Sequence, residues 1–435
     1  MATRTQPGPK AVATRRRLVL AAAQLLGAKG YAATRLSDIA EAAEIQTGSL
    51  YYHFSSREDL VREVLTTAAH SITDRVIARV DALDPATSGV DRIRVAVLAH
   101  IEAVLESSDY SAAMLRLIGQ LPADIEADAR RARQTYSLFW RRLFESAQAE
   151  GALRDDLNLK AVRQLVLGGL NALPEWFHPV GDGGRLSERG LADHVSGILL
   201  DGLATEQGLR RWRHDRERLP ASPSPTNIPA VQTDSGNGDS KAAATKLRIL
   251  DAAAEVFRIH GYAGARLADI AAEAQLQTGS LYYHFDSRTD IVEQLVRISW
   301  DNAHRAFDEA LASLPPDAAP ITRLGAVLDA HVRSVTCGAY TAGVMAILSQ
   351  LPEPVRELHR PFHEAYLRNL HTLLQDATDS GDIKGGLDIS ALLMFTIGAL
   401  NRSFEWYDEA QHIAIDQLAI QVQKVYFEGM RAQRD

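Results

Sequence analysis

One segment of nine residues occurs twice in this chain without a single change, and it limits the possible folds more than any other feature. It occupies residues 46–54 as QTGSLYYHF and returns at residues 277–285. At a constant offset of 231 the flanks agree as well, since residues 14–61 match residues 245–292 at 27 of 48 positions without a gap. A repeat of this length predicts two copies of one small domain.

Length and cysteine content narrow the class of protein. A chain of 435 residues with 46% hydrophobic side chains can bury the cores of two to four domains. Cys337 is the only cysteine, which excludes an internal disulfide and a cysteine-based zinc site. No apolar run approaches the roughly 20 residues of a membrane span or follows the basic N-terminus as a signal sequence. We therefore expect a cytoplasmic protein with no membrane contact.

The charge is unevenly distributed. A net charge of −8 argues against a generally basic nucleic-acid binder, although a basic patch can exist on an acidic protein. Basic residues do cluster where each copy of the repeat begins: Lys10, Arg15, Arg16 and Arg17 in the first, and Lys241, Lys246 and Arg248 in the second.

Apolar spacing predicts three helices in each repeated domain. In the first copy, a helix over residues 16–28 ends before Gly30, and a second helix covers residues 36–43. A third short helix covers residues 47–53 after a tight turn. Two short helices joined by a turn and packed under a longer one form the helix-turn-helix arrangement.

These motifs resemble the DNA-binding domain of the TetR family of transcriptional repressors. The residues that carry the resemblance are Gly30-Tyr31, Asp38-Ile39-Ala40, the segment 48–54 and Arg57, repeated as Gly261-Tyr262, Asp269-Ile270-Ala271, the segment 279–285 and Arg288. The resemblance implies an all-α fold in which each DNA-binding domain precedes a helical ligand-binding and dimerisation domain. It also implies that the last two helices of each subunit form a four-helix bundle with a partner subunit.

The regions behind the two helix-turn-helix domains also repeat, now at an offset of 230. The sequence QLP at 120–122 returns at 350–352, and GGLN at 168–171 returns as GALN at 398–401. The whole subunit is therefore duplicated, with the bundle helices expected at 159–177 and 186–205, and at 389–407 and 410–430. The predicted boundaries are 1–12 for a flexible basic arm, 13–72 and 243–302 for the helix-turn-helix domains, 73–207 and 303–435 for the ligand-binding domains, and 208–242 for a disordered linker.

The polar side chains of the third helix predict contacts with DNA, whereas Leu50 and Phe54 belong to the core. The predicted DNA-binding residues are Arg35, Gln46, Thr47, Gly48, Ser49, Tyr51, Tyr52, His53 and Arg57, with Arg266, Gln277, Thr278, Gly279, Ser280, Tyr282, Tyr283, His284 and Arg288 in the second copy. The basic arm is equally compatible with a minor-groove contact and with a solvated tail.

Arg35 and Arg266 stand where family members commonly have a Ser or Thr that caps the second helix. We expect both arginines to face phosphate. The cap then passes to Thr34 in the first copy, and Ala265 cannot supply it in the second.

The predicted ligand contacts depend on the resemblance. The aromatic segment at 175–179 is similar to the TetR subgroup that controls lipid and sterol breakdown and responds to acyl-CoA-type effectors. The candidates are His100, Trp140, Asn171, Trp176, His331, Asn401 and Trp406, although aromatic and histidine side chains in a helical bundle are usually core or interface. The second copy lacks the His-Pro that follows the aromatic pair, which favours the first copy as the sensor.

The sequence thus predicts a tandem TetR-type regulator whose partners are double-stranded operator DNA and a small apolar effector. The two halves are expected to form an intramolecular pseudo-dimer on a palindromic operator, with a homodimer of chains as the alternative. Neither a cofactor, a metal nor an enzymatic activity is expected, because no catalytic motif or metal-ligand cluster is present. A regulatory adaptor that acts through protein partners is the alternative function.

Overall fold

The computed structural model describes residues 9–106, 108–117, 121–177, 186–202, 205–218, 239–407 and 413–429, and these ranges contain helices and no β-strand. The predicted all-α class is confirmed. The first half contains α1 (Pro9–Ala33), α2 (Leu36–Ala42), α3 (Thr47–Leu50), α4 (Arg57–Asp81), α5 (Gly89–Glu106), α6 (Ser108–Leu117), α7 (Ala123–Ala149), α8 (Leu159–Trp176) and α9 (Glu188–Asp201).

Helix α10 (Glu206–Arg218) follows the first half, and the second half repeats the same order. It contains α11 (Asp239–Gly264), α12 (Leu267–Glu273), α13 (Thr278–Leu281), α14 (Arg288–Ala312), α15 (Pro320–Cys337), α16 (Ala339–Ile347), α17 (Glu353–Asp379), α18 (Ile389–Asn401) and α19 (Ile415–Gln423). A π-helical turn, Lys424–Glu428, extends α19. Within the described ranges, no helix has the length and apolar character needed to cross a bilayer.

Helix α1 begins earlier than the sequence predicts. It starts at Pro9, so residues 9–12 of the predicted arm are helical, and the rest of the arm lies outside the described residues. Proline suits a first helical turn because its missing N–H would have no intrahelical partner there. Gly30 interrupts the helix with φ of 76°, at the position where the sequence predicts its end.

The turn between α2 and α3 closes through a left-handed residue that is not glycine. Glu44 has φ of 54°, and its equivalent Gln275 has φ of 56°. The Ile45 amide donates to the Ala40 carbonyl at 3.0 Å and the Glu44 amide to the Glu41 carbonyl at 2.9 Å. These are the two hydrogen bonds of a Schellman motif, which ends α2 sharply and sets the direction of α3.

Two local predictions for these short helices are wrong. Thr34 does not cap α2, because its hydroxyl donates to the Gly30 carbonyl at 2.7 Å inside the core. Helix α3 ends at Leu50 rather than continuing to residue 53, since the His53 amide donates to the Leu50 carbonyl and tightens the chain into a turn. In the second copy, the Arg266 amide donates to the Asp269 carboxylate at 3.2 Å, so the acidic residue of the first turn supplies this cap.

The predicted linker is helical at both of its ends. Helix α10 covers residues 206–218 and α11 begins at Asp239, while residues 219–238 lie outside the described residues. Helix α10 forms because it packs on the second half: Trp212 is buried against the Phe427 ring, with centroids 5.4 Å apart. The Asp215 carboxylate accepts from the Ala319 amide at 2.9 Å and the Thr322 hydroxyl at 2.8 Å.

The two halves contact each other mainly through α8 and α18. Their backbones approach closely because small residues face each other: a Cβ built on Gly168 would lie 3.2 Å from the Ala399 carbonyl oxygen, and one on Gly398 would lie 2.6 Å from the Ala172 Cβ. Ion pairs flank this contact, with Arg402 3.2 Å from Glu175 and Lys424 2.5 Å from Asp156. The interface therefore combines close backbone packing with a charged periphery.

Candidate DNA-binding surfaces and effector pocket

Among the described residues, the most exposed large hydrophobic side chains belong to the repeated nine-residue segments. Tyr52 is 92% exposed and Tyr283 88%, while Tyr51 and Tyr282 are each 58% exposed. Tyrosine rings normally bury most of their surface, so four rings left in solvent at equivalent places indicate a binding surface.

The remaining residues of this surface are polar and accessible. Gln46, Thr47 and Ser49 are exposed, and in the second copy Gln277 and Thr278 are exposed while Ser280 is half-buried. A Cβ built on Gly48 or Gly279 would have no atom within 4 Å, so each glycine leaves open space above the helix. Leu50 and Phe54 are buried, which confirms their assignment to the core. Each surface thus presents hydroxyls, amides and bare backbone, the groups that contact DNA edges and phosphates.

Arg57 and Arg288 are engaged within the protein. The Arg57 guanidinium stacks over the Tyr31 ring at 4.1 Å and donates to the carbonyls of Tyr31 and Thr34 at 3.3 and 3.4 Å. Arg288 repeats this with Tyr262, at 4.2 Å from the ring. Both arginines therefore hold the corner between the first two helices and position the surface. Their contact with phosphate stays a prediction.

His53 is also joined to the first helix, because its carbonyl accepts from the Arg15 guanidinium. Arg15 lies over the Phe54 ring at 4.1 Å and pairs with Glu63 at 3.0 Å. His53 and His284 are half-buried, whereas Arg35 and Arg266 are exposed at the starts of α2 and α12. Phosphate contacts of these four side chains stay predictions, and the exposed arginines are sterically free to make them.

A cavity of about 210 Å³ lies in the first half. Its walls include Ile72 of α4, His100 of α5, Tyr136 of α7 and Asn171 of α8. Three residues of the second half also line it: Arg402, Glu405 and Trp406. The structure thus brings together three predicted ligand contacts, His100, Asn171 and Trp406, from both halves.

His100 is fully buried and keeps a free hydrogen-bonding atom. Its Nδ1 is 2.6 Å from the Tyr136 hydroxyl, while its Nε2 has no hydrogen-bond partner among the described residues. Burial lowers the pKa of His100 to about 3, and the nearby Asn171 side chain opposes this shift only in part, so the ring is neutral at physiological pH. A neutral ring with one unsatisfied nitrogen inside a cavity suits a polar ligand atom.

The equivalent cavity of the second half is only about 40 Å³ and is lined by residues of that half alone. His331 has partners on both nitrogens: Nδ1 is 2.9 Å from the Tyr366 hydroxyl and Nε2 is 3.0 Å from the Asn401 Oδ1. Burial lowers its pKa to about 4. The two remaining predicted ligand residues, Trp140 and Trp176, do not line either cavity; Trp140 is fully buried beside His100, with ring centroids 6.5 Å apart.

Sequence reasoning missed Arg133, Tyr136 and Arg402 as pocket residues. A comparison of the halves could have indicated Arg402, because the charged Arg402 stands where the first half has the small apolar Ala172. Tyr136 and Tyr366 are equivalent residues at the offset of 230, but only the structure places them beside His100 and His331. Among the described residues, no group of three His, Cys, Asp or Glu side chains is placed to hold a metal ion.

Comparison with known proteins agrees with this architecture. The model of "Bacterial regulatory proteins, tetR family" matches residues 18–64 and 249–295, and that of "Tetracyclin repressor-like, C-terminal domain" matches residues 86–203 and 317–430. The chain is 30% identical over 206 residues to the HTH-type transcriptional repressor KstR2 of Mycolicibacterium smegmatis, which covers 46% of this chain and 96% of that protein.

Two further proteins are similar to parts of this chain. The fatty acid metabolism regulator protein of Bacillus subtilis is 26% identical over 160 residues, covering 36% of this chain and 80% of that protein. The TetR family regulator PfmR of Thermus thermophilus has a crystal structure that is 25% identical, with a TM-score of 0.35, and covers 38% of this chain and 86% of that one. With both family models matching twice, this chain belongs to the TetR family of DNA-binding transcriptional regulators and carries its whole subunit in tandem.

Proposed function

We propose that one chain acts as an intramolecular pseudo-dimer, in which the two halves bind the two half-sites of a palindromic operator. The observation that carries this proposal is the direct packing of α8 on α18, in a chain whose two exposed surfaces at α3 and α13 are identical in sequence. Two-fold DNA-binding dimers match pseudo-palindromic sites. Since both surfaces carry the same nine residues, the half-sites have nearly the same sequence.

Covalent linkage of the halves has a consequence for binding. Free subunits dimerise in proportion to their concentration, whereas a tethered second half engages its half-site at a high effective concentration. Operator binding by this chain is therefore expected to remain cooperative between half-sites even when the protein is dilute.

An apolar, lipid-like effector acting in the first-half cavity relieves repression. Helix α4 supports the mechanism, because it starts beside α3 and then passes Ala69, Ile72 and Thr73 along the cavity wall. An occupant that displaces α4 moves the DNA-binding surface, and the effector lowers operator affinity by its preference for the displaced state. The name of the Bacillus subtilis relative, a fatty acid metabolism regulator, supports a lipid-like effector.

The test is a pair of double variants measured against the DNA upstream of the protein's own coding sequence. Tyr52→Ala with Tyr283→Ala removes the exposed rings, and Gly48→Ala with Gly279→Ala adds methyl groups that meet no protein atom. Each variant should unfold at the wild-type temperature and bind the operator at least tenfold more weakly. Normal operator binding by both variants contradicts the assignment of these surfaces and favours the adaptor function.

A further inference from the structure

The two equivalent cavities differ because of specific substitutions between the halves. Ala69 lines the first-half cavity, and the equivalent position in the second half is Trp300. The Trp300 indole is buried there and donates to the His359 Nδ1 at 2.7 Å. The second cavity is therefore filled by its own side chains, held in place by a hydrogen bond between two buried rings.

Residues of the second half line the first-half cavity, whereas the second-half cavity is lined by residues of the second half alone. Arg402 reaches the cavity from just beyond α18 and is paired with Glu175 of the first half at 3.2 Å and with Glu405 at 2.6 Å. At the position equivalent to Arg402 the first half has Ala172, which cannot reach across in the same way. The wall made by Arg402, Glu405 and Trp406 is consequently present on one side only.

The second half also shows which proton His100 carries. At His331, Nε2 faces the Asn401 Oδ1, an atom that only accepts, so Nε2 bears the proton and Nδ1 accepts from the Tyr366 hydroxyl. His100 has the same arrangement with Tyr136 at 2.6 Å. The side chain of Asn171, the equivalent of Asn401, acts on His100 weakly enough that burial still lowers the His100 pKa, and it forms no hydrogen bond of normal geometry with Nε2. The His100 Nε2–H is therefore a buried donor that lines the cavity and lacks an acceptor among the described residues.

The size and charge of the cavity limit its occupant. A volume of about 210 Å³ is somewhat larger than the roughly 150 Å³ of an engineered apolar cavity that binds benzene, so it suits about ten non-hydrogen atoms. The lining contains two arginines, Arg133 and Arg402, and one carboxylate, Glu405. Arg133 is paired with Glu126 at 3.0 Å, and Arg402 is paired with Glu175 and Glu405, so these charges balance one another. A polar, charge-balanced wall beside the His100 Nε2–H favours a ligand that ends in a polar oxygen acceptor.

We propose that the first-half cavity is the single effector site of the pair, that Arg402 of the second half completes it, and that it binds a small apolar acyl group. The carbonyl or carboxylate oxygen of this group accepts a hydrogen bond from His100 Nε2. This inference rests on the proposed function, because it names the ligand class of the proposed effector pocket. The acyl group can come from a free acid or from a thioester whose carrier remains outside the cavity.

The experiment is calorimetric titration of the full chain with octanoate, octanoyl-CoA, 1-octanol and octylamine. We expect one site per chain for octanoate or octanoyl-CoA, and the tighter of the two identifies free acid or thioester as the source. Octylamine should bind at least tenfold more weakly, because its ammonium group offers no acceptor to the His100 Nε2–H. Two sites per chain, equal binding of octylamine, or no binding of either acyl compound overturns the proposal.

Matched variants locate the site. Ile72 and Ala303 are equivalent positions in the two cavities, so Ile72→Trp should abolish acyl binding while Ala303→Trp leaves it unchanged. Arg402→Met should weaken octanoate at least tenfold without changing the affinity for uncharged 1-octanol, a difference that a merely structural role would not produce. Binding lost with Ala303→Trp but retained with Ile72→Trp overturns the proposal.

Operator binding without ligand is measured on the same samples. If the wild type binds operator DNA but no acyl compound, the ligand inference fails and the proposed function stands. If the wild type binds neither the operator nor any other DNA, the proposed function fails, whatever the result with the acyl compounds.

Discussion

The Phe395 ring of the second half lies directly against Gly169 of the first half, so close that a Cβ on Gly169 would stand 2.5 Å from the ring. Gly168, beside it, faces the Ala399 backbone across the same interface. Because Gly168 and Gly169 of α8 have no side chain, α18 can approach α8 closely, and the contact between the halves depends on this approach.

Gly169→Ala should accordingly destabilise the protein by about 1 to 3 kcal/mol, the usual cost of overpacking a closed core. Gly197 of α9 is the matched control, because a Cβ there meets no atom within 4 Å. Gly197→Ala should instead raise the free energy of unfolding by about 0.5 to 1 kcal/mol through better helix propensity. Denaturant unfolding of the two variants measures whether each substitution lowers or raises the free energy of unfolding. Equal changes in the two variants would contradict the close contact at Gly169.

Helix α10 is a second attachment between the halves, and it has no counterpart among the described residues after α19. Trp212→Ala removes a ring that is only 3% exposed and should cost about 3 kcal/mol or more. We expect faster proteolysis between residues 203 and 240 in this variant. Arg210→Ala, at an exposed position of the same helix, should change neither stability nor cleavage.

The left-handed residues of the two helix-turn-helix turns predict a stabilising change. Glu44 and Gln275 adopt φ of 54° and 56°, where a Cβ is unfavourable and glycine is not. Glu44→Gly with Gln275→Gly should raise the midpoint of thermal unfolding of the DNA-binding domains, by a gain of about 0.5 to 1 kcal/mol at each turn. The control variant Glu44→Ala with Gln275→Ala keeps a Cβ at both positions and should show no gain in stability. A gain in this control would mean that the loss of the Glu44 and Gln275 side chains, and not the loss of the Cβ, causes the effect.

The buried histidines predict a dependence of stability on pH. Burial lowers the folded-state pKa of His331 to about 4, below the ordinary value near 6.5 of an unfolded chain. Between these values the unfolded state binds a proton that the folded state does not, so stability is retained above pH 6.5 and lost as the pH falls. At pH 5 the loss from His331 alone is about 2 kcal/mol.

His331→Gln tests this directly. The fall in unfolding free energy between pH 7 and pH 5 should be smaller in the variant than in the wild type by about 2 kcal/mol. His70→Gln changes an exposed histidine and should leave the pH dependence intact. If the unfolding free energy of His331→Gln fell with pH as steeply as that of the wild type, His331 would not be the source of the pH dependence.

The sequence predicted the parts of this molecule that depend on local pattern and on repetition. Residues 46–54 and their copy determine the exposed surfaces, because a short helix with Leu50 inward must turn its tyrosines outward. Residues 206–218 could not be predicted in this way. Their charged composition resembles that of a linker, and Trp212 is buried only because it packs against Phe427, which is distant in the sequence. The cavity wall at Arg402 likewise depends on contact between halves, which no local pattern contains.

Whether one chain binds both half-sites of its operator can be read from the mass of the protein–DNA complex. Light scattering of the purified chain, alone and with a duplex from upstream of its own coding sequence, gives that mass in solution. We expect one chain of 47.6 kDa per duplex carrying two similar half-sites. Two chains per duplex at every protein concentration would contradict it and would make the homodimer of chains, with four DNA-binding surfaces, the binding species.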